Sequence, residues 1–329
     1  MQILWFIIVA VFWTGFMVLE GFDFGVGALH RVVGRTDTEQ RVAINAIGPF
    51  WDGNEVWLIV AGASTFAAFP LWYASMFSAL YLALLLVLVA LIGRAVTFEY
   101  RSRSKSDGAK QAWSWVMTIA SVALPLLIGI ALGDLLRGLP INSSGDYTGS
   151  FWNLLTPYGI WVGITLLVLS LTHGATFLDL KTTGVVRERA HKAARVLTLV
   201  AIVVILAFMV WTMVIAERGI LPPFIGLVSL LSMIAAAWAV RDNQGGGAFA
   251  ATTLSMAAAV GTIFVELYPN VMVSSTNAAY NLTVTNSSSS SYTLGVMTVV
   301  ALIFVPLVIA YQCWNFYVFR ARVKAPTTV

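Results

Sequence analysis

Long apolar stretches, separated by short polar segments, run through almost the whole chain. A helix needs roughly 20 apolar residues to cross the hydrocarbon of a bilayer, and nine stretches approach that length. They cover residues 3–28, 52–70, 72–99, 113–136, 156–180, 196–216, 222–240, 248–267 and 293–319. The composition agrees, because 59% of the residues are hydrophobic and only 10% are charged. We therefore predict an all-α integral membrane protein of nine transmembrane helices, with a tight turn near Pro70 between the second and the third.

The basic residues alternate between the two sides of this arrangement. All but Arg94, Arg137 and Arg218 of the 19 lysines and arginines lie in alternate loops and in the C-terminal tail. The positive-inside rule then places the N-terminus outside and the C-terminus in the cytoplasm. The first stretch lacks the charged start and small-residue cleavage site of a signal peptide, so we expect it to be retained. The positive net charge thus reflects topology, and nothing indicates nucleic-acid binding.

The nine helices form a single integral-membrane domain with an internal repeat. Helices one to four and five to eight run in the same sense, and similar segments, Leu19–Phe24 and Thr172–Phe177, end the first and the fifth. Parallel repeats of this kind are common in membrane proteins. We predict a first four-helix bundle (1–140), a second four-helix bundle (150–270), an external polar loop (271–292), a peripheral ninth helix (293–319) and a cytoplasmic tail (320–329). The Ser-, Asn- and Thr-rich loop is typical of a flexible cap.

Acidic residues occur within or beside the first three apolar stretches. An ionised side chain in hydrocarbon costs several kcal/mol, so such residues are functional candidates by default. Three consecutive helices bring acids, with one arginine, to one depth near the inner face: Glu20 and Asp23, then Asp52 and Glu55, then Arg94 and Glu99. A mixed cluster of this kind can bind and release protons. The pattern indicates proton handling near the cytoplasmic face.

A second interpretation of these acids is that they are interfacial and pair with arginines such as Arg31 and Arg101. For Glu99 the two interpretations stay equally open. Asp23 and Asp52 lie one to two turns inside the apolar boundary, where a purely structural acid is costly. For that pair we favour function.

His173 lies within the fifth helix and could carry protons or bind a haem iron. A bis-histidine haem needs a second intramembrane histidine, and His30 and His191 lie in basic loops. A hydrogen-bonded polar residue between helices is the interpretation we favour for His173. Cys313 is the only cysteine, which excludes an internal disulfide or a cysteine-based metal site.

Six motifs, in order along the chain, carry a family resemblance. They are EGFDFGVG (Glu20–Gly27), GPFWDGNEVWLI (Gly48–Ile59), FAAFP (Phe66–Pro70), FEYRSR (Phe98–Arg103), HGATFLDLKT (His173–Thr182) and VMVSSTN (Val271–Asn277). With nine predicted spans, the chain resembles subunit II of cytochrome bd-type quinol oxidases over its whole length.

The resemblance implies a membrane enzyme of aerobic respiration that oxidises a quinol on the outer side and reduces dioxygen to water. It implies that subunit I carries two b-type haems and one d-type haem, and that this chain binds none of them directly. Subunit II would pack on subunit I as a pseudo-symmetric partner in the bacterial cytoplasmic membrane. A small single-helix subunit and membrane lipids are further expected partners.

The resemblance also implies a proton route through this subunit. The matching positions are Asp23, Asp52 and Glu99, with Trp51 and Arg94 beside them. We predict that Asp23 and Asp52 accept protons, that Glu99 is the next carrier, and that Arg94 keeps nearby carboxylates ionised.

Three further residues, Glu20, Glu55 and His173, are secondary members of this predicted site. Some relatives have glutamine in place of Glu55 or His173, which speaks against an essential role for either. Some also have aspartate in place of Glu99, whose carboxyl here extends one methylene further.

Two other functions have the same broad sequence features. A stand-alone proton-coupled transporter would also have many spans and buried acids, but its solute site would lie near the bilayer midplane. The acids here cluster near the inner face, which disfavours that alternative. In a third interpretation the subunit is a scaffold and its acids serve folding.

Overall fold

The computed structural model describes residues 1–216 and 221–324, so Arg218 lies outside the described residues. Helices make up most of the described chain. They are α1 (Gln2–Val33), α2 (Asp37–Ile47), α3 (Trp51–Ala68), α4 (Pro70–Ala79), α5 (Tyr81–Arg103), α6 (Asp107–Arg137), α7 (Pro157–Lys181), α8 (Gly184–Ala216), α9 (Leu221–Arg241), α10 (Gly245–Leu267) and α11 (Ser291–Val318). The prediction of an all-α membrane protein is confirmed.

Within the described ranges, eight helices are long and apolar enough to cross a membrane: α1 and α5 to α11. The second predicted span corresponds to α3, which has 18 residues. Its first turns hold Asp52, Asn54 and Glu55, and these side chains lower its hydropathy. The count of nine spans therefore stays a prediction that depends on α3.

The third predicted span (72–99) is two helices in the structure. The expected turn is present, since the helix breaks at Phe69 and α4 begins with Pro70, a residue favoured in the first turn. A second break at Leu80, with φ −92° and ψ 12°, separates α4 from α5. Periodicity alone did not indicate this second break, because residues on both sides of it are apolar.

A short helix, α2, follows α1 where the sequence analysis has only a basic loop. Its first turn has a capping box: Thr36 accepts from the backbone N–H of Glu39, and the Glu39 side chain accepts from that of Thr36. Arg101 binds Asp37 at 2.8 Å and Arg189 binds Glu39 at 2.7 Å. Ion pairs thus fasten α2 to both α5 and α8.

Segment 271–292, which is predicted to be an external loop, contains regular structure. Strands β1 (Asn270–Met272) and β2 (Leu282–Thr283) pair antiparallel. The polar side chains bind backbone groups, as where Ser274 N–H donates to Asn281 Oδ1 at 2.8 Å. The Ser, Thr and Asn side chains supply the hydrogen bonds that short strands lack, and the flexibility of this cap stays a prediction.

Close backbone contacts place α1 in the interior. A Cβ atom at Gly25 would overlap the carbonyl oxygen of Ser170 on α7, so only glycine allows this crossing. Nearer the start of α7, a Cβ atom at Gly129 of α6 would lie 2.6 Å from Gly163 Cα. Helix α1 also packs on α3, α6 and α10. These contacts shield the C-terminal half of α1, where Glu20 and Asp23 lie.

Candidate functional site

An ion pair and a second carboxyl group are buried together between α1 and α5. Glu20 and Asp23 lie three residues apart on α1 and therefore share one helix face. Arg94 of α5 reaches Glu20 Oε1 through Nη1, and all three side chains have no exposed area. The carboxyl groups of Glu20 and Asp23 are close enough to interact electrostatically. Two acids and one arginine thus form the centre of the site.

Helix α3 contributes the next polar residues. Asn54 is fully buried, and its Nδ2 donates to Asp23 Oδ2 at 2.7 Å and to the carbonyl oxygen of Leu19 at 3.1 Å. Glu55 Oε2 lies 3.9 Å from Arg94 Nη1, and the Glu55 side chain as a whole is 23% exposed. The site therefore continues from the buried pair along α3 toward the start of that helix.

Helix α11 adds two hydrogen bonds here: Gln312 extends the polar chain from Asn54, and Asn315 holds the backbone just before α3. Gln312 Nε2 donates to Asn54 Oδ1 at 2.6 Å, and Asn315 Nδ2 donates to the carbonyl oxygen of Pro49 at 3.1 Å. The sequence analysis does not single out Asn54, Gln312 or Asn315. Asn54 lies within a quoted motif, but nothing in the apolar pattern of α11 predicts which of its side chains meets α3.

The structure does not bring Asp52 and Glu99 into the buried cluster. Both are exposed on this chain, and Glu99 forms an exposed ion pair with Arg103 at 2.9 Å. Trp51 stacks on Phe98 with a centroid separation of 4.6 Å, so the start of α3 and the end of α5 are adjacent. Asp52 and Glu99 therefore lie at the edge of the site.

The pairings of these acids differ from those that the interfacial interpretation expects. Arg101 binds Asp37, Gln40 and Ser114, and Arg31 lies over the ring of Trp115. Among the described residues, neither arginine forms an ion pair with Glu20, Asp23 or Glu99. The buried acids are instead paired inside the helix cluster, through Arg94 and Asn54.

His173 lies on α7, apart from the carboxyl groups. Its Nδ1 is 2.8 Å from Thr252 Oγ1, and its ring stacks on Phe249 at 4.6 Å. Phe22 of α1 packs edge-on against the same ring at 5.7 Å. The structure thus places His173 in a helix–helix seam, as the favoured interpretation has it.

Several polar atoms of the cluster have no hydrogen-bond partner among residues 1–216 and 221–324. They are Glu20 Oε2, Asp23 Oδ1, Glu55 Oε2, Arg94 Nε and Arg94 Nη2. Buried polar groups that lack a partner are costly, and ordered water normally supplies one. Unpaired donors and acceptors in one cluster give the arrangement the capacity to bind water and to exchange protons.

An apolar cavity of about 770 Å³ lies beside this cluster, among α3, α4, α5 and α6. Its walls are side chains such as Trp13, Phe66, Phe77 and Leu84, and no charged residue lines it. The cavity is suited to hydrocarbon and not to a polar solute.

Comparison with known proteins decides the family. The model of cytochrome bd terminal oxidase subunit II matches residues 1–319. The chain is 42% identical to cytochrome bd ubiquinol oxidase subunit 2 of Bacillus subtilis (strain 168), over 99% of this chain and 98% of that one. It is 36% identical to cytochrome bd-I ubiquinol oxidase subunit 2 of Escherichia coli (strain K12), over 98% and 95%.

The chain belongs to the cytochrome bd terminal oxidase subunit II family. The resemblance drawn from the six motifs is confirmed, as is the prediction of a subunit of a membrane oxidoreductase. A chain in the solved structure of bd oxidase from Geobacillus thermodenitrificans has the same fold, with a TM-score of 0.77 over 97% of this chain and 98% of that one at 15% identity.

A cytochrome complex contains haem, but the described residues of this subunit II chain do not fit one. The imidazole of His173 is hydrogen-bonded at Nδ1 and packed between Phe249 and Phe22, which leaves no room for a porphyrin at its ring. In the same described ranges, no group of three or more His, Cys, Asp or Glu side chains is placed to hold a metal ion.

Proposed function

We propose that this chain is the accessory subunit of a haem-containing quinol:dioxygen oxidoreductase in the bacterial cytoplasmic membrane. Its partner is subunit I, which carries two b-type haems and the d-type haem and oxidises the quinol. The near-complete coverage of ubiquinol oxidase subunit 2 from two bacteria supports this proposal. A small single-helix subunit and bound lipids complete the proposed assembly.

The proposed topology has nine spans, with α3 included, in two four-helix bundles and the peripheral α11. The N-terminus is outside and the C-terminus cytoplasmic. Support comes from the alternation of basic loops and from the position of α3, which packs on α1 although its first turns are polar.

Within this complex the subunit conducts protons from the cytoplasm toward the site where dioxygen is reduced. The observation that carries this proposal is the buried Glu20–Asp23–Arg94 cluster. A single guanidinium cannot neutralise two ionised carboxylates, and net charge in a buried site is costly. A proton shared between Glu20 and Asp23 removes that charge and satisfies their unpaired oxygens.

Residues at the edge of the site connect the Glu20–Asp23 pair to the protein surface. Asp52 and Glu55 stand at the start of α3, between the cytoplasmic surface and the buried pair, and act as first acceptors. Glu99, exposed beside the Trp51–Phe98 stack, is the carrier that passes protons on. Water bound at the unpaired atoms of Arg94 and Glu55 bridges the steps.

Asp23→Asn in the assembled oxidase tests the proposal. The asparagine keeps the shape and can still meet Asn54, but it cannot take up a proton. We expect normal haem absorption with loss of oxygen uptake, by about two orders of magnitude if the route is dominant. Asp52→Asn is expected to lower uptake in the same way. Unchanged oxygen uptake in both variants would contradict the proton route and favour the scaffold role. A colourless chain that purifies without a partner would favour the stand-alone transporter.

A further inference from the structure

Helix α11 is largely exposed, and two of its three buried side chains are amides. Its buried residues are Leu294, Gln312 and Asn315, while most of its apolar side chains face outward. Both buried amides lie near the inner end of α11, at the level where α3 begins. An amide in an otherwise apolar membrane helix needs a partner, so its position is informative.

The hydrogen bonds around Asn54 fix the orientation of its amide. The carbonyl oxygen of Leu19 can only accept, so the Asn54 atom 3.1 Å from it is the NH₂ group. That group also donates to Asp23 Oδ2. Asn54 Oδ1 then points the other way, toward Gln312 Nε2 at 2.6 Å. Each amide is thus oriented by its neighbour.

We infer that Gln312 is a positioning residue for Asp23, acting through the side chain of Asn54. This inference rests on the proposed proton route. Without a donor at Oδ1, the Asn54 amide is held on one side only, so it can shift and its N–H bond to Asp23 Oδ2 weakens. An N–H donor stabilises the ionised carboxylate, so weakening this bond changes how readily Asp23 releases a proton.

The charges around Asp23 do not change when Gln312 is replaced. Glu20 faces Asp23 from α1 itself, Arg94 faces the pair from α5, and Glu55 of α3 faces Arg94. Helix α11 has no titratable acid or base in its inner half apart from Cys313 and the tyrosines, which are exposed. The effect of Gln312 therefore passes through one hydrogen bond and not through a charge.

The test compares Gln312→Met with Asn315→Leu in the complete oxidase complex. Met and Leu match the shapes of the replaced side chains and cannot donate. The two amides are matched in exposure, at 8% each, and lie three residues apart on α11. Asn315 donates to the backbone at Pro49 and does not touch Asn54. A general loosening of α11 would therefore affect both variants alike.

Infrared difference spectra at two pH values provide the readout. Asp23→Asn identifies the carboxyl and carboxylate bands of Asp23 by their loss. We expect Gln312→Met to shift those bands and to lower the maximal rate of oxygen uptake about two- to tenfold, as removal of one hydrogen bond does. Asn315→Leu is expected to leave both the bands and the rate at the parent values.

Bands of Asp23 that stay in place in Gln312→Met, or that shift equally in Asn315→Leu, would overturn the inference. The proposed function fails separately, through normal oxygen uptake in Asp23→Asn. If Gln312→Met does not assemble, Gln312→Asn replaces it, because its amide is one methylene short of Asn54. The same band shift is expected there, and its absence would likewise count against Gln312.

Discussion

Trp51 and Phe98 stack face to face, with ring planes 10° apart and centroids separated by 4.6 Å. Each ring directly precedes a predicted proton carrier, Asp52 in one case and Glu99 in the other. The stack therefore holds the start of α3 next to the end of α5 and limits how far apart the two exposed carboxyl groups can lie. Because proton transfer depends on the positions of the reacting groups, this packing contact is expected to affect its rate.

Phe98→Leu is expected to lower both stability and oxygen uptake. Aromatic pairs contribute about 0.5–1.5 kcal/mol beyond the area they bury, and the loss also frees the end of α5 to move from α3. A double-mutant cycle with Trp51→Leu measures the coupling through thermal unfolding of the detergent-solubilised complex. Effects of the two single variants that simply add would show that the stack does not hold these helices together.

Removing Arg94 alone is expected to be more damaging than removing the charges of both Arg94 and Glu20. Arg94→Met leaves a buried carboxyl group without its partner, and breaking a buried pair costs about 3–5 kcal/mol. We expect a large loss of assembled complex, measured as the yield of haem-containing enzyme. Glu20→Gln in the same chain is expected to restore much of the yield, since it removes the uncompensated charge. A double variant no better than Arg94→Met would contradict this account.

The sequence predicts the helices because long apolar stretches mark them. It predicts the buried acids because charged residues within such stretches can be read directly. Glu20 and Asp23 share a face by spacing alone, and an arginine at the same depth is implied by helix direction. The structure joins these residues as expected. The capping box at Thr36 and Glu39 is also readable from the sequence, and it marks the start of α2 that the sequence analysis leaves as a loop.

Other parts of the site depend on tertiary contacts and have no local signal. Gln312 lies 258 residues from Asn54, and only the docking of α11 on α3 brings them together. The exposure of Asp52 and Glu99 likewise depends on which faces of α3 and α5 turn outward. Spacing placed all the acids at one depth, but it could not separate buried residues from those at the edge.

A pH dependence of stability is expected from the ion pair that fastens α2 to α8. Backbone N–H donation from Arg35 and the guanidinium of Arg189 lower the pKa of Glu39 below its usual 4.5. The ionised form is thus favoured by folding, so its stabilising effect is present above about pH 4.5 and is lost as the pH falls through the lower value of the folded protein.

Unfolding midpoints measured across this acidic range test the assignment. Glu39→Gln is expected to flatten the dependence of the midpoint on pH. Glu188→Gln, which removes an exposed acid next to Arg189 in sequence, serves as the control and should keep the parent slope. Equal slopes in parent and Glu39→Gln would show that another group causes the acid sensitivity.

His173 gives a prediction that separates packing from proton transfer. Its ring is held by Thr252 and stacked on Phe249, and it lies on α7, away from the Asn54–Asp23 hydrogen bond. Glutamine is close to histidine in length and can donate to the Thr252 hydroxyl, so His173→Gln is expected to keep both oxygen uptake and the haem bands. His173→Leu leaves Thr252 without that donor and opens the seam, and should lower the unfolding free energy by about 1–3 kcal/mol at little cost to turnover. Oxygen uptake lost in His173→Gln at full haem content would instead assign His173 to the proton route, because only a titrating group distinguishes the two side chains there.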